Sequence, residues 1–96
     1  MLYENCKMIT FQSGCEEDTS TCDVRIDGET LIVSYDDTIY RGNDSGGGHY
    51  DLIAPMVNGR ATLHRAKDSD TLEGSWIEGG FIGMWQIELS DETRGK

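Results

Sequence analysis

Two turn-forming dipeptides in the second half of the chain, Asn58-Gly59 and Gly79-Gly80, constrain its fold more than any other feature. Both reach positive φ cheaply, so each favours the two-residue hairpin turn whose twist matches that of paired strands. A turn of fixed length sets the register of the strands it joins. With Gly79-Gly80 as the loop, Ile77 opposes Ile82, Trp76 opposes Gly83, Gly74 opposes Trp85 and Leu72 opposes Ile87. Each tryptophan then lies on one face opposite a glycine, where its ring can cover bare backbone.

The other turn signals extend this pattern. Asn58-Gly59 as a two-residue loop sets Leu63 opposite Ala54, His64 opposite Ile53 and Arg65 opposite Leu52. A loop over residues 67–70 sets Leu63 opposite Gly74, His64 opposite Glu73 and Arg65 opposite Leu72. Asp27-Gly28 pairs Val24 with Leu31 and Cys22 with Val33, which buries Cys22 as a small apolar filler. The C-terminal hairpins agree on their faces. Leu52, Ala54, Leu63, Leu72, Trp76, Trp85, Ile87 and Leu89 point inward. Ile53, His64, Glu73 and Gln86 point outward, with Ile77, Ile82 and Met84 beside them.

Eight strands follow, over residues 7–12, 22–27, 30–35, 38–41, 49–54, 60–66, 71–78 and 81–89. Residues 13–20 read as a polar loop, and residues 42–48, rich in glycine, as the most flexible loop. Residues 90–96 read as a frayed tail. The predicted fold is all-β: a single domain over residues 1–96, built as an antiparallel meander of about eight short strands. Such a meander closes into a barrel, which removes its edges, or stays a strongly curved half-barrel that dimerises through its open face.

Net charge narrows the partners. With 18 acidic against 8 basic side chains the chain carries −10, which repels phosphate backbones and anionic lipid. Nucleic acid and membrane are therefore excluded as partners, and a basic protein is retained. No apolar run is long enough to span a membrane, and the start lacks the basic-then-apolar layout of a secretory signal, so the expected location is cytoplasmic. Cys6, Cys15 and Cys22 match no common zinc spacing. They read as reduced thiols, with a Cys15–Cys22 disulfide as the alternative.

Arg65 is the most unusual residue, because parity sends its guanidinium inward near a strand end. It must reach water at a barrel mouth or meet an anion. Tyr35 and Tyr50 share its face and are expected at the same opening. With Leu63, Trp76 and Trp85 as apolar walls, these residues form the candidate ligand site. The row His64, Glu73 and Gln86 brings an imidazole beside a carboxylate, but no nucleophile or oxyanion donor accompanies it. No catalytic residue, metal site or cofactor is assigned. Ile53, Ile77, Ile82 and Met84 make an outward apolar patch that a homodimer would cover.

The run Leu72-Glu-Gly-Ser-Trp76, followed by Gly83-Met-Trp85-Gln-Ile-Glu-Leu89, resembles the closing strands of small calycin or lipocalin-like barrels. That resemblance covers residues 60–89 and implies a barrel able to bind an apolar ligand. The expected function is a non-enzymatic binding module for a small acidic or apolar ligand, anchored by Arg65. The alternative is an acidic interaction or regulatory protein with a solid core and no ligand.

Overall fold

A computed structural model describes residues 1–12, 14, 16–65, 69–90 and 92–93, the last two by backbone alone. Eight antiparallel strands follow one another as a meander: β1 (Leu2–Gln12), β2 (Asp18–Asp27), β3 (Thr30–Tyr35), β4 (Thr38–Gly46), β5 (His49–Ala54), β6 (Gly59–Arg65), β7 (Thr71–Glu78) and β8 (Phe81–Glu88). The barrel closes because β1 pairs with β2 along one edge and with β8 along the other. A two-residue β9 (Glu92–Thr93) continues past β8 and pairs with Leu2 and Tyr3. Two residues of the expected frayed tail are thus tied to the sheet; positions 91 and 94–96 lie outside the described residues.

The Gly79-Gly80 turn forms as expected, with both residues at positive φ and all four anticipated pairs in place. The β6–β7 register is also as anticipated, Leu63 to Gly74 and Arg65 to Leu72. The other two hairpins are offset. Pro55 cannot donate to a ladder, so β5 stops at Ala54 and residues Pro55–Val57 make one turn of 3₁₀ helix. Asn58 closes the turn in the left-handed region, donating its N–H to the Pro55 carbonyl. Ala54 therefore opposes Gly59, Tyr50 opposes Leu63 and His49 opposes His64, correcting the expected partners of all three β6 residues. In the β2–β3 hairpin the turn is Gly28-Glu29, so Val24 opposes Val33 and Ile26 opposes Leu31. Both offsets are even, and side chains alternate with a period of two, so every assigned face survives.

Two further expectations are corrected. The glycine-rich stretch after Arg41 is strand up to Gly46, and only Gly47 and Gly48 form the turn. Gly42 is needed there because a Cβ would run into the Asp51 carbonyl of the neighbouring strand. The first strand begins at Leu2, not Lys7, because Asn5 sits at φ 55 in a bulge opposite Cys22–Val24. That bulge inserts one residue, so Tyr3 and then Cys6 and Met8 all reach the interior. A strict two-residue alternation cannot detect such a strand.

The interior is a continuous cluster that includes Cys6, Met8, Val24, Leu31, Val33, Tyr40, Leu52, Leu63, Leu72, Trp85 and Ile87. An eight-stranded barrel is just wide enough to be filled by its own side chains. Trp76 and Trp85 stack at 5.9 Å between centroids, and Tyr40 meets Trp85 edge-on at 5.0 Å. Such aromatic pairs add about 0.5–1.5 kcal/mol each beyond the area they bury. No helix among the described residues is long and apolar enough to cross a membrane.

Candidate functional site

Strand direction gives the barrel two distinct ends. One carries the Tyr35–Thr38 turn, the Glu78–Phe81 turn and the start of β2; the other carries Arg65, the Gly46–His49 turn and the start of β1. The six expected ligand residues do not converge on one opening. Tyr35, Trp76 and Trp85 line a recess of about 180 Å³ at the first end. Tyr50 and Leu63 oppose each other, buried, on neighbouring strands of the wall. Arg65 stands at the second end, where its Nε donates to the Ser69 carbonyl at 2.8 Å. Its guanidinium clips the β6–β7 connection, and the expected common mouth with Tyr35 is not formed.

The recess is the open mouth of the barrel. Met8, Thr10, Asp18, Ser20, Tyr35, Trp76, Glu78 and Trp85 line it, with Asp36 on the adjoining turn. Three of these residues are acidic and none is basic. Glu78 ends β7 with the same parity as Leu72, Gly74 and Trp76, so its carboxylate turns inward at the rim. Two phenols hold it: Tyr35 Oη donates to Glu78 Oε1 at 2.8 Å and Tyr40 Oη donates to the same oxygen at 2.6 Å. Glu78 Oε2 accepts no hydrogen bond from the described residues.

These contacts shape the electrostatics of the mouth. Burial pushes both phenols well above the ordinary tyrosine range, and the hydrogen bond to Glu78 adds to the rise. The two hydroxyls therefore remain donors at any physiological pH. Trp76 contributes the opposite feature. Its Nε1 is buried and has no hydrogen-bond partner among the described residues. An unsatisfied buried donor costs about 1–3 kcal/mol. The mouth thus offers a spare carboxylate oxygen among three aromatic side chains.

Parity alone turns Glu78 and Tyr40 inward as well. Their polarity and the abundance of acids concealed them. Of the expected outward row, His64 lies beside Glu73 and Glu73 beside Gln86, but His49, its ring 4.3 Å from that of His64, takes the place expected of Ile53, which lies between Arg41 and Arg60. No group of three or more His, Cys, Asp or Glu among the described residues is arranged to hold a metal ion. Cys22 lies opposite Cys6, both buried as free thiols; Cys15, and with it the Cys15–Cys22 alternative, lies outside the described residues.

The apolar patch also forms. Ile53, Ile77, Ile82 and Met84 all face outward, between 47% and 60% exposed. Cross-strand pairing runs from Arg41 to Ile53, Arg60, Ile77 and Ile82, and Met84 adjoins Phe11 of β1.

Comparisons with protein-family models, curated proteins and solved structures return no match to this chain. The eight-stranded antiparallel barrel is compatible with a lipocalin-like architecture.

Proposed function

We propose that this protein is a non-enzymatic, lipocalin-like binding module that holds a small organic cation in the mouth at the Tyr35 end. The observation that carries this reading is the fixing of one Glu78 oxygen by two tyrosine hydroxyls while the other stays without a partner. An ammonium group there gains a charge-assisted hydrogen bond and lies against aromatic walls suited to a cation. Asp18 and Asp36 on the rim reinforce the same sign of charge. At about 180 Å³ the recess is smaller than the roughly 300–1,000 Å³ of drug-sized sites, so the ligand is compact.

This reading reverses the charge of the ligand expected from Arg65, whose own end of the barrel lies away from the tryptophans. A cytoplasmic setting suits the reduced Cys6 and Cys22. Thermal-shift measurements with methylamine, ethanolamine and acetate test it on wild type, Glu78→Gln and Arg65→Met. The amines should raise the midpoint of wild type and Arg65→Met, and leave Glu78→Gln unchanged. Stabilisation by acetate that disappears in Arg65→Met would restore the acidic ligand. No stabilisation by any compound would leave a solid-core interaction protein.

A further inference from the structure

The outer wall of the barrel carries two adjoining grooves that share Ile53 and Asp51. The larger, about 860 Å³, runs between Ile39 and Arg41 on β4 and Ile53, Pro55 and Met56 at the end of β5. The smaller, about 490 Å³, lies beside Arg60 on β6 and Ile77 on β7. Each groove therefore presents exposed aliphatic side chains next to one arginine, and the larger is also lined by Asp44, whose Oδ1 accepts the Gly46 N–H. Arg41 and Arg60 occupy the same cross-strand row, on either side of Ile53.

In a chain with 18 acidic side chains, both arginines stand exposed without a hydrogen bond or ion pair to any described residue. Asp51 lines both grooves, yet its hydrogen bond is with Thr62 Oγ1. Large apolar residues held in water around unpaired guanidinium groups are complementary to a surface of the opposite kind. We infer that this paired groove docks a partner-protein segment carrying carboxylates next to large apolar side chains. Its apolar side chains enter the grooves on either side of Ile53, and its carboxylates meet Arg41 and Arg60.

A second copy of this chain fits the surface less well. Two chains of charge −10 repel one another, and a two-fold axis through Arg60 would set that guanidinium against its own copy. The grooves lie on the outer wall and share only Trp76 with the barrel mouth, and none of the substitutions below touches it, so the two readings stand or fall independently.

Display of random 12-residue peptides against the intact, immobilised barrel tests the inference. Selected peptides should combine Asp or Glu with Leu, Ile, Phe or Trp, and fluorescence anisotropy should show their binding weaken as salt is raised. The double charge reversal Arg41→Glu with Arg60→Glu should reduce their affinity about tenfold or more and select basic peptides instead. Ile53→Ser should weaken the original peptides without changing their charge preference. All three positions are exposed, and circular dichroism would confirm that each variant keeps the wild-type fold. Enrichment of uncharged or basic peptides by wild type, or no enrichment, would overturn the inference. So would a wild-type dimer in sedimentation that becomes monomeric in Ile53→Ser, which would assign the surface to a second copy.

Discussion

Cys6 and Cys22 face each other across the β1–β2 ladder, both inside the barrel, directly after the Asn5 bulge. Directly opposed residues of antiparallel strands have Cα atoms about 4.5–5.5 Å apart, within the span a disulfide bridges. Treatment of Cys15→Ser with diamide should therefore link Cys6 to Cys22. The two thiols lose two electrons and two protons, which reduce diamide to its hydrazine. Peptide mapping without reductant reads the product. Intermolecular dimers as the sole product would show that the pair cannot close.

Alkaline pH should weaken the fold in two stages. Burial, with Cys6 and Asp23 adding, pushes the Cys22 thiol from 9.0 up to about 12. Between pH 9 and 12 the unfolded chain releases a proton that the folded chain keeps, so stability falls as pH rises. The slope is about 1.4 kcal/mol per pH unit from this one group. Past pH 10 Tyr35 and Tyr40 add to it in the same direction, since both phenols are raised on folding. Urea midpoints measured from pH 8 upward should decline accordingly, and Cys22→Ala should lose the first stage.

Gly83→Ala should destabilise the barrel by about 1–3 kcal/mol, as forced overpacking does. A Cβ at this position would strike both the Phe11 carbonyl and the Trp76 indole. Gly79→Ala supplies the comparison, since its Cβ would meet nothing and only its φ of 55° is strained. Altered tryptophan emission is expected for Gly83→Ala alone. Equal loss in both variants would show that backbone strain, and not the close approach to Trp76, sets the cost.

Trp85→Ala should cost about 3–5 kcal/mol, the range for removing a large buried aromatic. Its ring contacts Trp76, Tyr35 and Tyr40. Wild-type fluorescence should be that of sheltered indole, because both tryptophans are buried. Emission characteristic of water-exposed indole would contradict the barrel interior described above.

The wall of this barrel was legible in the sequence where turn and alternation agreed. Gly79-Gly80 and the Trp–Gly pairs defined β7 and β8, and the inward list from Leu52 to Ile87 held even where registers slipped by two or four. What escaped was set by features outside that alternation. Pro55 ended a strand before the Asn58-Gly59 signal could act, and Asn5 changed parity within β1. The ends were harder still. Whether Arg65 and Tyr35 share an opening depends on strand direction and tilt, which pairing alone does not convey. Glu78 acquires its place only when Tyr35 and Tyr40 are brought to it from β3 and β4.

β1 acquires its two neighbours at very different moments. β2 follows it directly in the chain, whereas its other edge waits for β8, so that Lys7 meets Glu88 and Gln12 meets Gly83 across most of the sequence. As the protein is synthesised, the first strand must remain half-paired until β8 has left the ribosome. Contacts between such distant positions form slowly, because the intervening loop must be closed before they reward it. The exposed edge of β1 is thus where the nascent chain most needs shielding.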